Sequence, residues 1–318
     1  MTGKPKVYID GREGTTGLQI YDRLRERGDL DLLLIDEDKR KDPEERKKYL
    51  NAADIVFLCL PDGAAREAVS MVEKEAVRII DASTAHRTAP GWAYGLPELS
   101  AAHREVIRQS KRTANPGCHA TGFIAAVYPL TARKILGPGE TVTCFSLTGY
   151  SGGGKKMIAE YEASERDVRL DSPRIYGLNL KHKHLPEMRA VCGLARDPIF
   201  CPVVADYYKG MAVTVCLSER QTGGLGAEQI REELAAWYRG QTLVDVAPFG
   251  AGGPMIAGNE MAGLDNLTLY VNGREDQVII TALFDNLGKG ASGAAVQNMN
   301  LMLGFEETAG LALPGKKE

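Results

Sequence analysis

Between residues 6 and 81 the chain alternates short apolar runs with segments whose apolar residues recur at helical spacing. This alternation restricts the fold more than any other feature. Lys6-Val7-Tyr8-Ile9-Asp10 reads as a strand, and Leu18, Ile20, Tyr21 and Leu24 follow at helical intervals. Asp31-Leu32-Leu33-Leu34-Ile35-Asp36 and Asp54-Ile55-Val56-Phe57-Leu58-Cys59-Leu60 are two further runs. The second is continuous, as a strand covered on both faces requires. A helix through Val69, Met71 and Val72 then leads to Arg78-Ile79-Ile80-Asp81. Strands and helices alternating at this cadence predict an α/β fold with a parallel, doubly wound sheet.

The first strand runs into Gly11-Arg12-Glu13-Gly14-Thr15-Thr16-Gly17. Strand, glycine turn and helix in this order bring a pyrophosphate onto a helix N-terminus, so Gly11, Gly14, Thr15, Thr16 and Gly17 are cofactor candidates in a Rossmann-type sheet. A plain tight turn would use the same glycines, and the position directly after the first strand favours the dinucleotide. Asp36 stands where a ribose-binding acid would, which points to NAD. Lys39, Arg40 and Lys41 follow it and could hold the 2′-phosphate of NADP, or form a solvated basic face mixed with Asp42, Glu44 and Glu45. The residues leave NAD and NADP open. Pro61 ends the third strand on the side where the cofactor would lie.

Beyond residue 140 the pattern changes. Thr141–Thr148, Met211–Leu217, Leu267–Val271 and Gln277–Phe284 are long strand-like runs. They predict a second, α+β domain with a mostly antiparallel sheet, one face open and a helix near Glu228–Tyr238 packed on the other. The open face is a natural interface for a homo-oligomer, a dimer or tetramer.

Composition narrows the partners. With 44% hydrophobic and 25% charged residues and a net charge of -3, the chain has no electrostatic case for nucleic acid or an anionic membrane. No apolar run approaches the roughly 18 residues of a spanning helix, and no signal-peptide core follows the N-terminus. Cysteines 59, 118, 144, 192, 201 and 216 are scattered without a Cys-x-x-Cys pair. That speaks against a zinc site or a disulfide framework and for a cytoplasmic protein. His182 and His184 have no third ligand nearby, so no metal site is expected.

Chemistry concentrates at Thr113-Ala114-Asn115-Pro116-Gly117-Cys118-His119-Ala120-Thr121-Gly122, followed by the apolar run Phe123–Leu130. Pro116 forbids helix at Asn115, and Gly117 supplies a permissive hinge before a buried helix. Cys118 therefore falls on a loop-to-helix corner, where backbone N–H groups and the positive end of the dipole lower a thiol pKa and can hold an oxyanion. The alternative for any cysteine is a small buried hydrophobe.

This stretch resembles the active-site signature of the N-acetyl-gamma-glutamyl-phosphate reductases, a short-form branch of the semialdehyde dehydrogenases, whose motif is Pro-Gly-Cys-aromatic-x-Thr-Gly. It departs at His119, where Phe or Tyr is commoner, and at Thr113, where an aliphatic residue is usual. The resemblance continues through Asp81–Arg87, Tyr94-Gly95-Leu96-Pro97-Glu98, Gly149-Tyr150-Ser151-Gly152-Gly153-Gly154-Lys155-Lys156, His184-Leu185-Pro186-Glu187 and Asp285–Gly304. It implies an NADPH-dependent reduction of N-acetylglutamyl 5-phosphate to the 5-semialdehyde, in arginine biosynthesis, through a Cys118 thioester. His184 is the implied proton shuttle, with Lys181 and Lys183 favouring its neutral form.

Pro61, Ser83 and Asn286 join the implied cofactor site. Arg87, Ser151, Gly152, Lys155 and Lys183 are candidates for the substrate side. Arg87 also reads as a surface charge, and the glycine loop as a flexible hairpin. The implied domains are 1–116 with 287–318 for NAD(P), and 117–286 for catalysis and dimerisation. Reduction of aspartyl or carrier-linked glutamyl phosphate is an alternative that shares these motifs, and a non-catalytic nicotinamide-binding regulator is another. His86 and His103 read as surface histidines, and the tail from Glu306 as frayed.

Overall fold

The structure, a computed structural model, describes residues 3–315. The chain packs as two units: the part up to Pro116 together with Ala291–Leu311, and Gly117–Gly290 together with the chain from Ala312 on.

The first unit is built on six strands: β1 (Lys6–Asp10), β2 (Asp31–Leu33), β3 (Ile55–Leu58), β4 (Arg78–Asp81), β5 (Ala93–Tyr94) and β6 (Arg112–Ala114). Their order is β2-β1-β3-β4-β6-β5, and every pairing is parallel. All four residues of β3 are buried, as its unbroken apolar run requires. Helices α1 (Thr15–Leu24), α2 (Pro43–Ala52), α3 (Asp62–Met71) and α4 (Ala101–Gln109) connect the strands. α2 starts where Asp42 caps the amides of Glu44 and Glu45 and Pro43 takes the first helical position. β2 is shorter than its apolar run, because Leu34 is already exposed. Asp36 therefore lies on an exposed loop.

The closing helix Gly293–Leu303 is buried along nearly its whole length. Asn298 Nδ2 donates to the Gly95 carbonyl (2.9 Å) and to Asn115 Oδ1 (3.2 Å), tying it beside β6. The segment after it is held around Glu307 and Ala309, contrary to the expected fraying, and residues 316–318 lie outside the described residues. Asn300 donates to the carbonyls of Glu307 and Ala309, and Arg104 pairs with Glu307.

The second unit opens with α5 (Cys118–Ala132), followed by β7 (Thr143–Gly149), α6 (Gly154–Tyr161), β8 (Arg174–Ile175), α7 (Leu185–Val191), β9 (Ile199–Ala205), β10 (Met211–Ser218), α8 (Ala227–Trp237), β11 (Val244–Val246), β12 (Leu267–Gly273) and β13 (Gln277–Phe284). The seven strands run β11-β12-β13-β10-β7-β9-β8. The pairs β7/β9 and β11/β12 are parallel and the rest antiparallel. α5 and α8 cover one face. The other exposes Phe145, Ile199 and Ile279, which explains the alternating sequence. The glycine loop is no hairpin: Tyr150–Gly153 forms one tight turn that feeds directly into α6.

Candidate active site

The glycine turn is shaped by close backbone approach. Gly11 has φ +86°, and a Cβ there would lie 2.4 Å from the Cys59 carbonyl oxygen. A Cβ on Gly17 would lie 2.4 Å from the Gly11 carbonyl oxygen. Only glycine fits either place. The turn delivers Thr15 and Thr16 to the start of α1, which has no side-chain cap, so its first amides keep their donors for an anion.

A cleft of about 430 Å³ opens beside the turn, lined among others by Gly11, Gly14, Pro61, Arg40 and Lys41. Asp36 stands outside that lining, exposed and 3.9 Å from Lys39 Nζ. In the wall of the cleft, Asp10 and Arg46 form a buried pair at 2.9 Å that fixes the end of β1 against α2. Ser83 is turned inward: its hydroxyl donates to Asp81 Oδ2 at 2.7 Å and accepts from Ala85 N. His86 is not a free surface residue. Its Nδ1 lies 2.6 Å from the same Asp81 oxygen and its ring stacks on Trp92. His103 is also engaged, with Nε2 2.6 Å from the Tyr94 carbonyl. Arg87 donates Nε to the Asn115 carbonyl and Nη2 to the Ala82 carbonyl, so its guanidinium is fixed at the end of the sheet.

In the second unit, Cys118 is the first helical residue of α5 and is partly exposed. Cys144 and Cys192 are buried, and burial pushes their thiols up, away from reactivity. Cys59 is pushed up to about 12 for the same reason. The corner before Cys118 is held from α7: Glu187 Oε2 accepts the Gly117 amide at 3.1 Å. Glu187 is 1% exposed, so the Pro186-Glu187 half of the histidine motif fixes the corner that bears the cysteine.

His184 caps α7 and is buried. Its ring centroid lies 5.6 Å from that of His119 and 4.7 Å from that of His182. The fold thus brings the histidine motif to the residue beside Cys118. His119 is itself 3% exposed, with Nδ1 2.7 Å from Ser146 Oγ and Nε2 2.7 Å from the Tyr176 hydroxyl. Burial first, then His182 and Lys183, pushes its pKa down to about 3.

That shift has a sign. The unfolded ring titrates near 6.5 and the folded one near 3, so below 6.5 the unfolded chain binds the extra proton and stability falls as pH falls toward 3. Between pH 6.5 and 5 this single group costs about 2 kcal/mol. Urea midpoints at the two pH values should therefore diverge less in His119→Phe than in the parent chain.

The remaining candidates are distributed more widely. Ser151 is buried and accepts from Asn286 Nδ2 at 3.1 Å, while Asn286 Oδ1 accepts the Gly210 amide. Asn286 thus bridges the glycine loop and the start of β10. Gly152, Lys155 and Lys183 are exposed. Gly290 packs on Cys118: a Cβ there would lie 2.9 Å from Cys118 Cβ. Gly290→Ala is expected to lower kcat by about 10- to 100-fold through displacement of the sulfur, with cofactor affinity unchanged. Steady-state kinetics and a cofactor titration check this.

Three participants escaped sequence reasoning. Tyr176 and Ser146 sit in unremarkable contexts, and nothing local marks them. Glu187 belongs to a motif, yet its hold on Gly117 spans 70 residues. The signal available was the departure at His119, since a polar ring in an aromatic position needs buried partners.

Comparison with known proteins gives the family. The family profile described as semialdehyde dehydrogenase, dimerisation domain, matches residues 118–286, and that described as semialdehyde dehydrogenase, NAD binding domain, matches residues 32–109. N-acetyl-gamma-glutamyl-phosphate reductase 2 of Nostoc sp. is 46% identical over 97% of this chain and 99% of its own length. N-acetyl-gamma-glutamyl-phosphate reductase of Brucella suis is 49% identical over 95% and 99%. Among solved structures, aspartate semialdehyde dehydrogenase II of Vibrio cholerae shares the fold with TM-score 0.70 at 18% identity, covering 95% of this chain and 99% of that one. Aspartate semialdehyde dehydrogenase with NADP from Candida albicans does so at TM-score 0.68 and 12% identity, covering 95% and 99%. The chain belongs to the semialdehyde dehydrogenase family, on the branch of the N-acetyl-gamma-glutamyl-phosphate reductases.

Proposed function

We propose that this chain reduces N-acetylglutamyl 5-phosphate to N-acetylglutamate 5-semialdehyde, a step of arginine biosynthesis, using NADPH and a covalent Cys118 intermediate. The observation that carries the reading is the Gly117-Cys118 corner, gripped by Glu187 and lying one residue from a ring that adjoins His184. His184 takes the thiol proton, and the Cys118 thiolate attacks the acyl carbon and expels phosphate, leaving a thioester. NADPH, when bound, would supply the hydride that this carbon needs. His184 gives its proton to the resulting oxygen and reclaims it as the carbon–sulfur bond breaks and the aldehyde leaves. The first amides of α5 have no intrahelical acceptors and suit the transient oxyanion.

The cleft beside Gly11 and Gly17 fits a dinucleotide: its turn excludes side chains, and the uncapped start of α1 offers donors to the pyrophosphate. NADP is preferred here because Arg40 and Lys41 line the cleft and Asp36 does not. Replacing Arg40 and Lys41 together by alanine should raise KM for NADPH about tenfold or more, the worth of a charge-assisted hydrogen bond, and leave that for NADH nearly unchanged. The exposed Phe145, Ile199 and Ile279 support a homodimer or tetramer formed through the open sheet face. Six free thiols fit a reducing compartment, and the cytoplasm is the proposed location. No helix among the described residues is long and apolar enough to cross a membrane.

The test runs the reaction backwards. Phosphate-dependent reduction of NADP with N-acetylglutamate 5-semialdehyde is the expected result. Turnover with aspartate 4-semialdehyde instead would overturn the substrate assignment.

A further inference from the structure

Two charged residues stand at the tip of the glycine turn. The Gly14 amide donates to the Gly11 carbonyl at 3.0 Å, which closes a four-residue turn with Arg12 and Glu13 at its centre. Both line the cleft, together with Glu37, Arg40 and Lys41. Glu13 lies between two guanidiniums. Its Oε1 accepts from Nε and Nη2 of Arg12, each at 3.4 Å, and its Oε2 is 3.9 Å from Nη1 of Arg40. Arg12 also sits over the Tyr21 ring, with the guanidinium carbon 5.2 Å from the ring centroid. Arg40 is shared with Glu37 Oε1 at 3.5 Å.

Exposure decides which of these charges can change partners. The side chains of Arg12, Glu13 and Arg40 are 31%, 47% and 41% exposed, so their pairing is screened by solvent and yields to a stronger anion. Arg46 in the same wall is committed to Asp10, with both side chains nearly covered. A 2′-phosphate carries close to two negative charges and takes a guanidinium in a bidentate grip. To reach Arg12 and Arg40 together it has to displace the Glu13 carboxylate that stands between them. A ribose 2′-hydroxyl does the opposite, since it donates a hydrogen bond to a carboxylate. Asp36 lies outside the cleft lining, whereas Glu13 belongs to it.

We propose that Glu13 is the specificity-determining residue for the cofactor. Its carboxylate takes the place of the 2′-phosphate between Arg12 and Arg40, favours the ribose hydroxyl of NAD, and holds the preference for NADP in check. The proposal rests on the dinucleotide reading of the cleft given above. It adds Arg12 to the cations that receive the phosphate once Glu13 gives way.

The test is isothermal titration of the full chain with NADP and, separately, with NAD, and the readout is the ratio of the two dissociation constants. Glu13→Gln keeps size and polarity and removes the charge. It should tighten NADP about fivefold and weaken NAD about twofold, a shift in the ratio of about tenfold, the scale of one or two exposed ion pairs. Glu13→Ala, which also removes the acceptor, should shift the ratio at least as far. Asp22→Asn removes a like charge from α1 outside the cleft lining and should leave the ratio unchanged. A ratio that neither Glu13 variant moves, or that Asp22→Asn moves equally, overturns the proposal and leaves the dinucleotide reading standing. A parent chain that binds neither NADP nor NAD overturns both. A parent that binds NAD more tightly than NADP overturns the NADP assignment alone, and the shift on Glu13→Gln still decides the role of Glu13.

Discussion

Cys118→Ser is expected to bind NADP with the affinity of the parent chain while kcat falls by about four orders of magnitude or more, as losses at catalytic nucleophiles elsewhere suggest. The size follows from the chemistry asked of this atom. Serine's hydroxyl is far less acidic than a thiol, so a histidine prepares less of the attacking anion, and an oxygen ester yields to hydride less readily than a thioester. Cofactor affinity should hold because the glycine turn and cleft belong to the first unit, whereas Cys118 opens the second. Isothermal titration with NADP and a phosphate-dependent rate measurement separate the two effects. Comparable losses in both would mean a structural cysteine.

His184→Gln is expected to cost about 10²- to 10⁴-fold in kcat, the range for a single general acid–base group. The side chain is 4% exposed, and the histidine motif begins α7, whose Glu187 fixes the corner before Cys118. Glutamine retains polarity and approximate volume but cannot carry the proton at neutral pH. The variant should therefore lose the pH dependence of kcat assigned to this group, and alkylation of Cys118 should slow near neutrality. A uniform loss with the parent's pH profile would mean that His184 only supports the fold.

The fold was legible where one physical rule governed a long stretch. β3 is apolar throughout because both its faces are covered, and the second sheet alternates because one face is open. Reading failed where tertiary packing overrode local pattern. The Leu34-Ile35-Asp36 end of an apolar run lies outside β2, since nothing continues the ladder there. The strand β9 went unread because Pro202 interrupts its pattern, although it pairs in parallel with β7 over seven residues. The closing segment looked frayed because Arg104, which pairs with Glu307, lies 203 residues away in the sequence.

The active-site corner was legible for a local reason: Pro116 and Gly117 dictate where α5 begins. The histidine motif was legible through resemblance. The Ser146–His119–Tyr176 bridge was not, since its members lie 27 and 57 residues apart and meet only across the strands.

The central claim is that Cys118 carries the acyl group between phosphate release and reduction. Incubating the chain with N-acetylglutamate 5-semialdehyde and NADP without phosphate, quenching in acid and sequencing the peptides by mass spectrometry tests it most directly. The account predicts an N-acetylglutamyl adduct on Cys118 that phosphate discharges. An adduct on another cysteine, or none in a preparation that turns over normally once phosphate is added, would contradict it.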